Sequence, residues 1–431
     1  MLFRSVKAGR YPEAASSRLY HGRGGRLVLD EANSERLRDV GLVSGAVWSD
    51  LDGDGWPELI LACEWGPLRV FHNDHGRLVA MDFPVSLPSG GTTTLSRLTG
   101  WWNGVTTGDL DGDGRMDIIA SNWGRNTKYE RWRKQPLRIY YGDMAQSGEV
   151  QLLESYFEPD SGRYVPSRML ERVTQAIPML AARFPTHQSW ADAGIEEVMG
   201  ERRDTMRYGE ADWLETTALL NRGDHFEARV LPLEAQIAPC FAVCVADYDG
   251  DGKEDIFLSQ NFFAVNGDTS RYDAGRGLWL QGDGQGGFRA VPGQESGIKV
   301  YGEQRGAAVC DFDGDGRADL VVTQNGGETR LFHNVRGKPG LRVRLQGPAR
   351  NPMGIGAVVR LKFGDRFGPA REIHGGSGYW SADSAVQVMS EPGVPTQIWV
   401  RWPAGLVVTA NVPPSAKEVV LDFNGAVRQT R

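Results

Sequence analysis

Between residues 45 and 80 apolar and polar positions alternate with a period near two. "GAVWSD", "ELILAC", "LRVFHND" and "GRLVAM" are four short runs separated by one polar nine-residue stretch and tight turns. Runs of this length, rich in Val, Ile and Leu and bounded by Gly, Asn and Asp, predict half-buried β-strands. The cadence returns as "IIAS" after residue 117, "IFLS" after 255 and "LVVT" after 319. A second landmark recurs with it, an apolar strand ending in a polar, Gly-containing hairpin: "LYHGRGGRL" at 19, "VFHNDHGRL" at 70, "LLNRGDHFEA" at 219, "LWLQGDGQGGF" at 278 and "LFHN" at 331. Four short antiparallel strands per unit, repeated at about 50 to 65 residues, form the pattern of a β-propeller blade. The 55 Gly and 22 Pro fit an all-β chain with many turns.

Two segments depart from the repeat. Within 160–216, Met169, Leu170, Val173, Ile177 and Leu180 recur at helical spacing, which predicts a helical insertion. Its apolar face either packs on the propeller or forms a lid over a binding surface. After about residue 338 the repeat stops, and "LRVRLQG", "GAVVRLKFG", "AVQVMS", "QIWVRWPAG" and "KEVVLDF" read as strands of a small β domain. The expected organisation is a propeller over 1–338 and a second domain over 339–431.

The nine-residue stretches carry the candidate chemistry. In "DLDGDGWPE" (50–58), "DLDGDGRMD" (109–117), "DYDGDGKED" (247–255) and "DFDGDGRAD" (311–319), acids hold positions 1, 3, 5 and 9 and Gly holds 4 and 6. Four converging carboxylates repel unless neutralised, and a hard cation with six to eight oxygen ligands answers that need. Calcium fits best, in about four sites. The expected ligands are Asp50, Asp52, Asp54 and Glu58; Asp109, Asp111, Asp113 and Asp117; Asp247, Asp249, Asp251 and Asp255; and Asp311, Asp313, Asp315 and Asp319. A backbone carbonyl at position 7 joins each set, from Trp56, Arg115, Lys253 and Arg317. An EF-hand is excluded, because its position 12 Glu is replaced by Leu61, Ala120, Leu258 and Val322. Zinc would call for His or Cys, and no loop contains either.

Charge reads differently once the loops are set aside. The formal charge is -7, but 17 of the 55 acidic residues and 3 of the 48 basic ones sit in the loops, leaving 38 against 45. No basic cluster with interleaved aromatics appears, so nucleic acid is not an expected partner. No apolar stretch is long enough to span a bilayer, and the opening residues contain no signal-peptide core. Cys63, Cys240, Cys244 and Cys310 form no CxxC pair, and they read either as buried thiols or with a Cys244 to Cys310 bridge.

The units resemble the FG-GAP, or VCBS-type, repeats of integrin α-like propellers, over roughly residues 18 to 335. The resemblance implies calcium on the loops, a position outside the cytoplasm (extracellular, periplasmic or cell-surface), and an extracellular protein or glycan as partner. "YYGDMAQSGEVQLLESYF" from 140 looks like a fifth unit with a decayed loop, where Asp143 remains and Ala145, Ser147 and Gln151 replace the other acids. About five units is fewer than the seven of integrin-like propellers. Either the chain is a truncated piece of a longer propeller, or the half-blade near residue 19 closes the ring with a C-terminal strand. "NPMGIGAVVRL", "GGSGYWSADS" and "VRWPAG" are similar to the ASPIC/UnbV domain, whose Gly375, Gly376, Gly378 and Tyr379 would here form turns and a core ring.

No nucleophile elbow, P-loop or HExxH sequence is present. The expected role is a binding or interaction module, with a carbohydrate-active hydrolase or lyase as the alternative. The candidate ligand surface lies where the second strand of each blade exits: Glu64 and Trp65, Asn122 and Trp123, Gln260 and Asn261, Gln324 and Asn325. Amides beside aromatics suit recognition by hydrogen bonding and stacking. "RGD" at 222–224 has an equivalent "QGD" at 281–283, which argues for a hairpin and against an adhesion motif.

Overall fold

The computed structural model describes residues 6–390 and 393–430. The fold is all-β and propeller-like. Each acidic stretch joins the innermost two strands of one antiparallel blade. Blade 1 runs Leu42–Ser49, Glu58–Pro67, Arg69–Asp74 and Arg77–Met81. Blade 3 runs Cys240–Ala246, Asp255–Gln260, Leu278–Gly282 and Phe288–Val291, and blade 4 has three strands, Glu303–Cys310, Asp319–Asn325 and Gly327–Phe332. The first strands of successive blades pack against one another, which lines the four loops up at one end of the molecule.

Blade 2 differs from the sequence expectation. Its first strands are Val105–Gly108 and Asp117–Ala120, but its third is Thr217–Asn221, paired Ile118 to Leu219 across the whole intervening segment. The "LLNRGDHFEA" hairpin therefore completes blade 2 and does not belong to a fifth blade. The inserted residues fold into their own sheet, Arg163–Pro166, Gln151–Glu158, Leu137–Gly142 and Arg207–Ala211 in spatial order. Helices occupy only 170–205 of the expected 160–216, because the flanking residues become strands of this sheet. Val173, Ile177 and Leu180 pack there with Trp190, Ile195 and Val198, so the helical spacing reports a local core. The loop from Asp143 keeps the expected turn: Asp143 Oδ2 accepts from Gly148 N at 2.8 Å, and neutral Gln151 accepts from Ala145 N at 3.0 Å.

The hairpin Leu19–Arg23 with Arg26–Asp30 is a two-stranded sheet of its own, and among the described residues no C-terminal strand joins it. All four cysteines are free thiols, which removes the Cys244 to Cys310 bridge.

The C-terminal residues form two sheets over one core of Val343, Leu345, Val359, Leu361, Ile398, Val400, Trp402 and Leu421. They lie against the end of the blades that carries the loops, and one segment reaches inward along the inner strands. Ala46 N donates to Gly378 O at 3.0 Å, Val309 N to Asp383 Oδ1 at 2.8 Å, and Ser384 N to Val309 O at 2.9 Å. Gly45 is required for this approach, since a Cβ there would lie 2.5 Å from Gly378 O. Gly378 itself has φ of +78°, and the Tyr379 ring is 5.6 Å from Phe241, so this stretch serves as packing in the axis as well as a turn.

Candidate metal centres

The loops share one hydrogen-bond scheme, which explains the spacing of acids and glycines. The position 1 carboxylate accepts from the N–H of position 6, at 3.0 Å for Asp50 and Gly55, 3.0 Å for Asp109 and Gly114, 2.7 Å for Asp247 and Gly252, and 2.8 Å for Asp311 and Gly316. Position 3 accepts from position 5, and position 5 from position 7, as Trp56 N does toward Asp54 at 2.7 Å and Lys253 N toward Asp251 at 3.0 Å. The position 9 carboxylate ties the loop to its blade: Asp117 accepts from Leu110 N at 2.8 Å and from Asn221 N on the third strand at 2.7 Å. Asp255 and Asp319 repeat this with Gly282 N and Asn334 N.

This wiring holds acids together that would otherwise separate. Asp50, Asp52 and Asp54 offer oxygens within 4.8 Å of one another, as do Asp109, Asp111 and Asp117, and Asp247, Asp249 and Asp251. Burial pushes Asp117 and Asp255 up to about 8, with the neighbouring loop acids adding to it. Burial raises Asp109 and Asp247 to about 6 and Glu58 to about 7, and it also raises Asp50 and Asp319. Each shift measures the cost of burying a negative charge. Asp109 Oδ1 is buried with no hydrogen-bond partner, an acceptor left over inside the cluster. At Asp109, Asp111 and Asp117 and at Asp247, Asp249 and Asp251 the grouped donors are all carboxylate oxygens, which with the orphaned Asp109 oxygen fits a hard divalent cation.

Two side chains beside the loops were passed over as ligands in the sequence. His72 Nδ1 lies 3.0 Å from Glu58 Oε1 and 3.6 Å from Asp52 Oδ2, and His333 Nε2 lies 3.1 Å from Asp313 Oδ2. Their shared place at the end of a third strand, "FHN" in both blades, was the available signal. The next residue matters as much. Asn221 Nδ2 donates to Met116 O of its own loop and at 2.8 Å to Leu51 O of the neighbouring loop, and Asn334 does the same with Ala318 O and Tyr248 O.

The exit ends of the second strands divide into two groups. Asn122, Gln260 and Asn261 are buried and hydrogen-bond to backbone: Asn122 Nδ2 to Trp213 O at 2.8 Å, Gln260 Nε2 to Glu234 O at 3.0 Å, Asn261 Nδ2 to Gly275 O at 2.9 Å. Asn325 pairs with Glu303 and Gln324 with the Glu328 carbonyl. Glu64, Trp65 and Trp123 come together instead, lining a cleft of about 350 Å³ with Trp101, Tyr129 and Tyr272. Trp123 is itself buried and stacks on Trp101 at 4.0 Å. Burial raises Glu64 to about 7, and Trp65 holds a left-handed φ of +51°. Arg222 of the "RGD" is engaged by Asp111 and Glu227, while Asp224 is exposed at the hairpin tip.

Comparison with known proteins agrees with this geometry. An FG-GAP-like repeat family matches residues 50–120 and the FG-GAP repeat family matches 305–330. Cartilage acidic protein 1 of Xenopus tropicalis is 27% identical over 191 residues, 43% of this chain. The match spans only 29% of that relative's length. Among solved structures, the exotype rhamnogalacturonan lyase YesX aligns over 87% of this chain and 75% of its own, at 11% identity and a TM-score of 0.19, too low to carry an inference. The family matches fall on three of the four acidic loops, so the chain carries FG-GAP-type repeats over those residues.

Proposed function

We propose that this chain is a calcium-binding interaction module working outside the cytoplasm, with its loops at one end of the blades and a ligand cleft at the other. The observation that carries the reading is the buried, unpartnered Asp109 Oδ1 within a cluster of loop carboxylates raised by burial. The residues that would hold the ion are the four acids of each loop with the carbonyl at position 7. When bound, the ion would supply positive charge at the loop carboxylates beyond that of the basic side chains already paired with some of them. Affinities on the order of 10⁻⁴ to 10⁻³ M, usual for extracellular modules, would fill the loops outside the cell and leave them empty in cytosol. Among the described residues no helix is long and apolar enough to cross a membrane. Residues 339–431 take the part of an ASPIC/UnbV-like domain seated on the loops.

The ligand surface is the cleft at Glu64, Trp65 and Trp123, with Asn122, Gln260 and Asn261 as its buried supports. A carboxyl group among aromatic faces suits a glycan or an extended protein segment. The experiment is an array of glycans and extracellular proteins probed with wild type and Glu64→Gln, each with and without calcium. Ligands held by wild type and lost in Glu64→Gln, with calcium binding retained, support the cleft. Identical binding by both proteins refutes it.

A further inference from the structure

We propose that four arginines of the C-terminal sheets, Arg342, Arg360, Arg371 and Arg401, serve as built-in counter-cations of the four acidic loops, so that calcium entry and the seating of these sheets oppose one another. The inference rests on the calcium reading above. Its basis is a one-to-one correspondence. Arg401 Nη2 lies 2.7 Å from Asp50 Oδ2 in the first loop. Arg360 lies against Gly114 of the second, on the side of the loop that carries Asp109 and Asp113. Arg371 grips Glu254, position 8 of the third, with Nε at 2.7 Å and Nη2 at 3.0 Å. Arg342 Nη1 pairs with Asp311 Oδ2 of the fourth while its Nε holds Glu418 at 2.8 Å.

The contact does not need these charges to be positioned. Backbone bonds already fix it: Ala404 N to Gly55 O at 2.8 Å, Gly340 N to Gly316 O at 2.8 Å, Lys338 N to Asp249 O at 3.0 Å, and Ala370 N to Asp109 Oδ2 at 2.7 Å. Arg401 and Arg342 add positive charge at the position 1 carboxylates Asp50 and Asp311, whose side chains are 1% exposed. At so little exposure salt and water screen weakly, so a guanidinium beside the carboxylate repels a divalent ion bound to it. Coupling of this kind is reciprocal: arginines that weaken calcium binding are themselves released by calcium. The loops differ in this contact: Arg401 and Arg342 reach their position 1 carboxylates directly, whereas Arg360 gives its Nε to Gly368 O at 2.9 Å and only faces its loop.

The experiment is calcium titration calorimetry on the full chain and on Arg401→Gln, Arg342→Gln and Arg401→Lys, with circular dichroism to check folding. Each Gln variant should tighten one calcium site by about tenfold, equivalent to ~1.4 kcal/mol, and Arg401→Lys should not. Hydrogen exchange of wild type should rise around residues 369–372 and 401–405 when calcium is added. Calcium binding that is unchanged or weaker in folded Gln variants, or exchange that falls on calcium addition, overturns the opposition and leaves the calcium reading intact. Absence of calcium binding in every protein overturns both.

Discussion

Replacing Gly378 by Ala tests whether the C-terminal segment is seated among the blades. Gly378 sits at φ of +78°, where a Cβ costs about 1–2 kcal/mol. The added methyl would also fall inside van der Waals contact with the Val105 carbonyl, backbone that no rotamer change can move. Displacing such a contact costs about 1–3 kcal/mol, and the Ala46 N to Gly378 O bond, worth about 1 kcal/mol, would be strained with it. The expected loss is about 3–5 kcal/mol, a large share of the roughly 5–15 kcal/mol that holds a folded protein together. Gly375→Ala is the control. It lies three residues away, has no left-handed φ, and its Cβ would meet only the Ile355 side chain at 3.4 Å, so it should cost less than about 0.5 kcal/mol. Guanidinium unfolding followed by circular dichroism and tryptophan fluorescence measures both. A Gly378→Ala protein as stable as the Gly375→Ala control would show that the segment does not occupy the axis.

In chelator, stability should fall as pH rises from about 5 to 8. Asp117 and Asp255 at about 8 and Glu58 at about 7 lie above their unfolded values, so the folded state holds the extra protons and loses that advantage as they leave. Saturating calcium should flatten or reverse this slope, which thermal melts across the pH range would show. Asn221→Ala, by leaving the Leu51 and Met116 carbonyls unpaired between two loops, should cost about 1–3 kcal/mol in a denaturant titration. Trp123→Ala should cost about 3–5 kcal/mol, because the ring is buried and stacked; a neutral result would mean that it stands free in the cleft.

The loops and blades were legible because their signals are local. Acids at 1, 3, 5 and 9 with Gly at 4 and 6 encode a turn whose bonds close within nine residues, and the apolar run after each marks the next strand. Blade 2 was not legible, since the pairing of Ile118 with Leu219 spans an inserted sheet and strand alternation carries no label for its partner. The exit-strand residues were found as a set but not sorted. Amides that satisfy buried backbone and aromatics that line a cleft look alike in sequence, and only the contacts of Asn122 and Asn261 separate them. The arginines facing the loops lie in a different part of the chain from their partners. Nothing near Arg401 in sequence points to Asp50, because charge complementarity across a packed interface leaves no local pattern.

The most direct test of the account is the number of calcium ions held by the folded chain. Chelator-treated protein is equilibrated with millimolar calcium and examined by calorimetry and by anomalous scattering from crystals. The account expects four ions, one in each loop beginning at Asp50, Asp109, Asp247 and Asp311, and none at Asp143. Calcium in fewer than three of these loops, or an unchanged melting curve in excess chelator, would contradict it.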